Sequence, residues 1–411
     1  MKKSLFIVAL GAMVLTSCAQ DEVIQVNQDA VSFSVVAENA GRGAVTTTDN
    51  IDNFMVKAFN VDASGFNTTV FMNNMEVYRV KDSGTWSDWT YNSTKFWPTS
   101  GAINFYSYSP ADLNEKDFAT VTINPTQGSN GSTSNLGAQT IQYTVPTKCS
   151  EQIDVLYALN TGMSKANKNV AVNFRHALSQ IVFHAKNIKE DLIVEIEGVR
   201  VVNVKYSGTL TWPAVATTVQ TALDANGDLV DNGTDTETSD SWGTWALGAT
   251  TESFAADMLN TSATLNGVVA KTLSKTTSPL LLMPQTLAPA TIVDNKMNFD
   301  GAYFAINCKI WSVENGVNTL LWPATDTYAE VAIPVSSPDK KAGEPVWKQG
   351  RRYVYTFVFG EGAGYIGEGQ DNEGEPVLVP VTFTVTVDQF QTAKELVDMN
   401  TGNDAVTGTQ P

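Results

Sequence analysis

The sequence predicts an all-β protein made of β-sandwiches. Short runs rich in β-branched and aromatic residues recur along the chain, and Gly, Asn, Asp, Ser and Pro fill the gaps between them. The apolar spacing of a helix is rare, and residues 175–181 have enough of it for only a helical turn or two. Because 411 residues exceed what one hydrophobic core usually serves, we expect two domains.

The first residues have the pattern of an export signal. Lys2 and Lys3 give a positive start, an apolar run follows, and small residues lead to Cys18. This run is too short to cross a membrane as a helix, so we interpret residues 1–17 as a signal peptide. The segment resembles a bacterial lipobox, which implies acylation of Cys18 and a lipid tether to the membrane. The alternative is an ordinary signal peptide in which the cysteine has no special role.

Residues 18–42 are predicted to be a prosegment that carries the first strand. Its apolar residues alternate with serines and share one face, so that they could fill a groove in a sandwich: Val31, Phe33 and Val35. A small, polar linker follows, with the lone Arg42 directly before Gly43. Proteases cut in linkers of this composition. A permanent first strand followed by an incidental loop arginine is the alternative.

Several segments, taken in order, resemble the Bacteroidales fimbrillins, or type V pilins. They are Lys95-Phe-Trp-Pro, Ile103-Asn-Phe-Tyr-Ser-Tyr-Ser-Pro, Asp154-Val-Leu-Tyr-Ala, Val172-Asn-Phe-Arg-His-Ala-Leu-Ser-Gln-Ile-Val-Phe, Leu282-Met-Pro-Gln-Thr-Leu and Trp347-Lys-Gln-Gly-Arg-Arg-Tyr-Val-Tyr-Thr-Phe. The resemblance implies two tandem transthyretin-like β-sandwich domains and export as a lipoprotein. It also implies that an arginine- or lysine-directed protease cuts after Arg42, and that subunits then polymerise by donor-strand exchange.

The residues 163–169 interrupt the strand pattern with Gly, Ser, Lys and Asn, which favours a domain boundary there. We therefore expect an N-terminal sandwich over residues 43–168 and a C-terminal sandwich over residues 169–390. Residues 391–411 would form a polar tail.

A strand pattern near the C-terminus is the clearest in the chain, because apolar and threonine residues alternate there. The residues that share the apolar face are Val377, Val379, Val381, Phe383, Val385 and Val387. This strand is a candidate donor for a neighbouring subunit, and the alternative is a last core strand of the second domain. Residues 391–411 carry a weak apolar pattern and are a second candidate donor.

Charge and motif content exclude several classes of function. The net charge of −17 argues against binding of nucleic acid. His176 and His184 are the only histidines, and on one strand they lie too far apart to bind one metal ion. Neither belongs to a recognisable catalytic triad, and no glycine-rich phosphate loop is visible. We therefore predict a protein that is not an enzyme and needs no cofactor.

One loop has the side-chain oxygens of a weak calcium candidate, at Asp224, Asn226, Asp228 and Asp235. It departs from known calcium loops because Leu229 stands where the turn glycine belongs. Ordinary turn chemistry is the alternative.

Cys149 and Cys308 lie too far apart in sequence to indicate a disulfide framework or a zinc finger, and they could pair or stay free.

These patterns favour a structural or tip adhesin subunit of a cell-surface fimbria, with other pilin subunits as partners and a host or bacterial surface ligand as its target. The precursor would be an outer-membrane lipoprotein. The alternative is an outer-membrane surface lipoprotein that binds glycans and does not polymerise, with Trp242 and Trp245 as candidates for stacking on sugars. The segment 31–42 separates the two, because a glycan-binding module has no need of a detachable strand.

Overall fold

The structure is a computed structural model. It describes residues 30–35, 46, 50–63, 65–125, 139–217, 222–223, 229–230, 242–337, 340–341, 343–360, 364–377 and 381–389. Over these ranges the chain forms strands joined by turns, with three short 3-10 helices at Leu113–Glu115, Cys149–Glu151 and Lys165–Asn167. None of the described residues lies in an α-helix, so the predicted all-β fold class is confirmed. Within the same ranges no helix is long and apolar enough to span a membrane.

The strands up to residue 176 are β1 (Ser32–Val35), β2 (Asn53–Val61), β3 (Asn67–Tyr78), β4 (Lys81–Asp82), β5 (Thr85–Trp86), β6 (Thr90–Tyr91), β7 (Ala102–Ser109), β8 (Ala119–Thr122), β9 (Thr140–Thr144), β10 (Leu156–Met163), β11 (Asn169–Val172) and β12 (Arg175–His176).

The later strands are β13 (Ser179–Asn187), β14 (Leu192–Lys205), β15 (Ser207–Thr211), β16 (Ala222–Leu223), β17 (Leu229–Val230), β18 (Thr244–Leu247), β19 (Thr251–Ala255), β20 (Ala263–Leu265), β21 (Lys271–Thr272), β22 (Leu280–Leu282), β23 (Gln285–Thr286), β24 (Ile292–Val293), β25 (Lys296–Met297), β26 (Tyr303–Glu314), β27 (Val317–Trp322), β28 (Ala329–Pro334), β29 (Lys340–Lys341), β30 (Glu344–Trp347), β31 (Arg351–Phe359), β32 (Tyr365–Ile366) and β33 (Val381–Gln389).

A six-stranded sheet in the order β12-β10-β7-β2-β3-β6 separates two hydrophobic cores. Strand β7 shows why its sequence is apolar at almost every position. Ile103 and Phe105 pack into the first core, which also contains β1 and β11. Tyr106 and Tyr108 point to the other face and pack into the second core. Because both faces of the sheet are covered, aromatic residues are favourable at consecutive positions.

The second core lies between two sheets. One has the order β21-β13-β31-β33, with β22 beside β13, and the other has the order β19-β14-β26-β28-β32. Strands β13 and β31 run parallel in the middle of the first of these sheets. Aromatic rings from both sheets meet in this core, and the ring centroids of Phe304 and Tyr355 lie 4.5 Å apart. Phe183 stacks on Phe357 at 5.8 Å.

A four-stranded sheet in the order β18-β15-β9-β8 combines strands from both sides of position 168. Strand β11, which begins at Asn169, pairs with β1, and its Val170 and Val172 belong to the first core. The boundary between residues 168 and 169, and the count of two tandem domains, stay predictions.

The helical turn expected over residues 175–181 is wrong. Residues Arg175–His176 form β12 beside β10, and β13 begins at Ser179. Between them the Ala177 N–H donates to the Val155 carbonyl, and Ala177 and Leu178 are fully buried. Pairing with β10 therefore overrides the local helical spacing.

Candidate strand-exchange site

Strand β1 lies in a groove between two segments that are distant from it in sequence. On one side it runs parallel to β11, with Phe33 opposite Val170 and Ser34 opposite Ala171. On the other side the Val31 N–H donates to the Lys95 carbonyl at 2.8 Å. Both edges of the strand therefore have backbone partners, as in an interior strand of a sheet.

The apolar face of β1 points into the first core. Val31 is 2% exposed and Phe33 is 6% exposed, whereas Val35 is half-buried. Three rings surround Phe33 edge-on, with centroid distances of 5.6 Å to Tyr91 and 5.9 Å to both Phe54 and Phe105. Edge-to-face contacts of this kind add to the gain from burial alone. The pocket is therefore shaped for an aromatic side chain.

Polar groups at the rim hold the backbone and the serines of β1. The Tyr91 hydroxyl donates to the Val31 carbonyl at 2.7 Å and accepts from the Lys95 N–H at 3.2 Å. Burial raises the pKa of Tyr91 above its usual value, and the Lys95 N–H offsets part of that rise. The hydroxyl therefore stays protonated and can donate. Asn169 accepts a hydrogen bond from Ser32 Oγ at 3.1 Å and donates one to Ser34 Oγ at 2.6 Å.

A buried ion pair holds the chain shortly after the predicted cleavage site. The Thr46 N–H donates to Asp154 Oδ2 at 2.7 Å, and Asp154 Oδ1 lies 2.9 Å from His176 Nδ1. The side chains of Asp154 and His176 are each 3% exposed. Hydrogen bonds to an ionised carboxylate are stronger than neutral ones. Cys18, Arg42 and Gly43 lie outside the described residues.

The C-terminal candidate donor occupies the edge of a sheet. Strand β33 pairs antiparallel with β31, with Phe383 opposite Phe357. In the strand order this sheet ends at β33. Val385 and Val387 are half-buried against the second core, whereas Thr384 and Thr386 are exposed. Val377 is buried ahead of the strand, and Val379 lies outside the described residues.

The calcium candidates Asp224, Asn226, Asp228 and Asp235 also lie outside the described residues. Within the part of the chain that the structure describes, no three His, Cys, Asp or Glu side chains come together as a metal site.

The two cysteines of the fold are free and buried. The Cys149 thiol donates to the Ser278 carbonyl at 2.9 Å. Burial raises the pKa of Cys149 to about 11 and raises that of Cys308 as well. Both thiols therefore stay protonated near neutral pH, which makes them poor nucleophiles.

The two tryptophans considered for sugar stacking have packing roles. Trp242 is 8% exposed, and the Arg175 guanidinium lies 4.8 Å from its ring centroid. Trp245 is half-buried and donates from Nε1 to the Ala177 carbonyl at 2.8 Å. Neither ring is free to offer an open face to a sugar.

Sequence reasoning did not identify the residues that hold β1 and the linker, although their segments had been noticed. Lys95 belongs to the first of the fimbrillin-like segments, and Asp154 and His176 belong to the third and fourth. Tyr91 and Asn169 lie next to such segments in sequence. The local patterns indicate strands, but they do not show that these distant strands meet at one groove.

A family model described as fimbrillin-like matches residues 41–387 of the chain. The chain belongs to the fimbrillin-like family. This confirms the resemblance found in the sequence and supports the role of a fimbrial subunit at the cell surface, in a family of structural proteins.

Solved structures with low sequence identity are also similar to this fimbrillin-like chain. A fimbrial protein from Bacteroides vulgatus is 17% identical, with a TM-score of 0.46, over 88% of this chain and 100% of that one. The tip fimbrial protein Mfa3 from Porphyromonas gingivalis, with a C-terminal truncation, is 9% identical, with a TM-score of 0.29, over 87% of this chain and 99% of that one. None of the curated proteins matches the chain.

Proposed function

We propose that this fimbrillin-like chain is a fimbrial subunit that is exported as a lipoprotein acylated at Cys18. A protease specific for arginine or lysine cuts it between Arg42 and Gly43. Strand β1 then leaves its groove, and a strand from another subunit takes its place. The mature subunit forms part of the fimbria or of its adhesive tip.

The observation that carries this proposal is the position of β1. The strand fills a deep apolar groove, yet its covalent link to the rest of the chain runs through residues 36–45, which include Arg42. A single cut after Arg42 separates β1 from everything that follows. The Thr46 N–H, which Asp154 binds, lies beyond the cut and stays with the body of the protein.

Loss of β1 would leave a strong acceptor. Val31 and Phe33 are almost completely buried, and burying side chains of this kind stabilises a protein by about 1.5–3 kcal/mol each. The departure of β1 also leaves the Lys95 carbonyl and the edge of β11 without their strand partner. A strand with apolar residues at alternate positions could restore both sets of contacts.

Cleavage and assembly are tested on the lipidated precursor, purified in detergent and treated with an arginine-specific protease. We expect N-terminal sequencing to find Gly43 as the new first residue, and gel electrophoresis without boiling to show ladders of oligomers. Arg42→Ala should remain uncut and monomeric while keeping the unfolding temperature of the wild type. Arg42→Lys is the matched control, since a lysine-directed enzyme should cut it and restore assembly.

Two results together would contradict strand exchange. One is cleaved protein that keeps its N-terminal peptide and stays monomeric at high concentration. The other is a cell that carries Arg42→Ala and still displays fimbriae containing this subunit. The glycan-binding lipoprotein would then be the better account.

A further inference from the structure

The groove around β1 recognises a five-residue pattern. Its pockets take apolar side chains at the first and third positions, and the third pocket is lined by the rings of Phe54, Tyr91 and Phe105. Asn169 bonds the hydroxyls at the second and fourth positions. Residues 31–35 satisfy this pattern as Val-Ser-Phe-Ser-Val.

The chain contains this pattern a second time. Residues 381–385 read Val-Thr-Phe-Thr-Val, so they match residues 31–35 at the three apolar positions and carry a hydroxyl at the other two. Of the 18 phenylalanines in the sequence, only Phe33 and Phe383 have serine or threonine on both sides. A strand that merely alternates apolar and polar residues has no need of this match.

The second copy is held less deeply than the first. Strand β33 pairs only with β31 among the described residues, and its Val385 is half-buried. In β1, by contrast, both edges are bonded and Val31 and Phe33 are almost completely buried. Transfer of residues 381–385 into an emptied groove would therefore increase the burial of this segment.

We propose that the cleaved groove binds residues 381–385 of a second copy of this chain, with Phe383 in the pocket of Phe33. This inference rests on the proposed function and names its partner. The donor runs parallel to β11, as β1 does, so that Thr382 and Thr384 replace Ser32 and Ser34.

The backbone of the donor is compatible with this register. In β1 the N–H that reaches the Lys95 carbonyl belongs to Val31, and Val381 would supply it in the donor. Pro380 precedes that position, so its missing N–H removes none of these bonds. The Tyr91 hydroxyl, which bonds the Val31 carbonyl, would bond the carbonyl of Val381.

Synthetic peptides test recognition on the cleaved full-length protein. A peptide of residues 379–387 should bind the groove and compete with a peptide of residues 29–37. Replacing the residue equivalent to Phe383 by Ala should weaken binding about a hundredfold, because an aromatic pocket is left empty. Replacing the residue equivalent to Thr386, outside the repeat, is the matched control and should change the affinity little.

This comparison separates the inference from the proposed function. If the peptide of residues 29–37 binds and that of residues 379–387 does not, the groove is an acceptor and the present inference is wrong. If neither peptide binds, the strand-exchange function is wrong as well.

Cysteine pairs test the register and the partner. Ser34 lies opposite Ala171 in the parallel pairing, so Thr384→Cys in one copy should form a disulfide with Ala171→Cys in another cleaved copy, with oxidised glutathione as oxidant. Neighbouring strands bring such residues within the usual span of a disulfide. Placing the two cysteines on separate chains ensures that any crosslinked dimer joins two copies.

Two further variants identify the wrong arrangements. A disulfide with Thr382→Cys instead would indicate an antiparallel donor, and one with Thr386→Cys would indicate a shift by two residues. Either result, or the absence of every crosslink despite oligomer formation, would overturn the proposed register.

Discussion

Phe33 and Tyr91 illustrate two kinds of contact that hold one strand. The Phe33 ring occupies a pocket made of three aromatic rings, which depends on the side chain that enters it. The Tyr91 hydroxyl bonds a backbone carbonyl, which every strand possesses. The first contact therefore selects a sequence, and the second holds any strand that lies in the correct place.

We expect Tyr91→Phe to loosen β1 without removing the pocket. The substitution keeps the ring beside Phe33 but deletes the bond to the Val31 carbonyl, a loss of about 0.5–1.5 kcal/mol. After cleavage at Arg42, the N-terminal peptide should therefore leave about two- to tenfold faster. The release rate can be followed by mass spectrometry. Tyr78→Phe, at a half-buried tyrosine of β3, is the control, and an equal acceleration there would argue against a specific role for Tyr91.

At the scale of elements, the alternation of apolar and polar residues predicts strands well, because side chains of a strand alternate between two faces. The buried face of β1 follows directly from the spacing of Val31 and Phe33. The partner of β1 does not follow from it, because the pairing with β11 joins residues that are far apart in sequence. Periodicity measures the faces of a strand and carries no information about its neighbours.

The failed helical turn near β12 has a related cause. Residues 175–181 have helical apolar spacing, but His176 pairs with Leu156 and bonds Asp154. A buried carboxylate needs hydrogen-bond partners, and the extended backbone of β12 places the imidazole beside it. Tertiary contacts of this kind cannot be obtained from local spacing.

The loop that contains the four calcium candidates gives a prediction at the same scale. If it binds calcium, adding the ion should raise the unfolding midpoint, by about 2.7 kcal/mol of stability at a hundredfold excess over the Kd. Asp224→Ala together with Asp228→Ala should abolish the rise. Calorimetry with magnesium at equal concentration is the control, and a midpoint insensitive to calcium would leave ordinary turn chemistry as the explanation.

For the whole molecule, the position of Cys18 predicts where the precursor is found. Only its thiol can carry a thioether-linked lipid, so Cys18→Ala should yield a non-acylated precursor or a soluble secreted form. Partitioning between detergent and aqueous phases measures this change. Cys149→Ala is the control, because that thiol is buried and its loss should leave partitioning unaltered. A Cys18→Ala protein that still enters the detergent phase would contradict the lipoprotein assignment.

The groove of β1 and the strand β33 belong to different parts of the molecule, since the first borders one core and the second borders the other. In the proposed exchange, the contact between two copies therefore joins unlike surfaces and has no twofold axis. Contacts of this type build open chains unless the rotation between neighbours happens to close a ring. Such a chain has two chemically different ends, one with an empty groove and one with an unengaged β33. Growth, arrest and attachment would each be tied to a particular end.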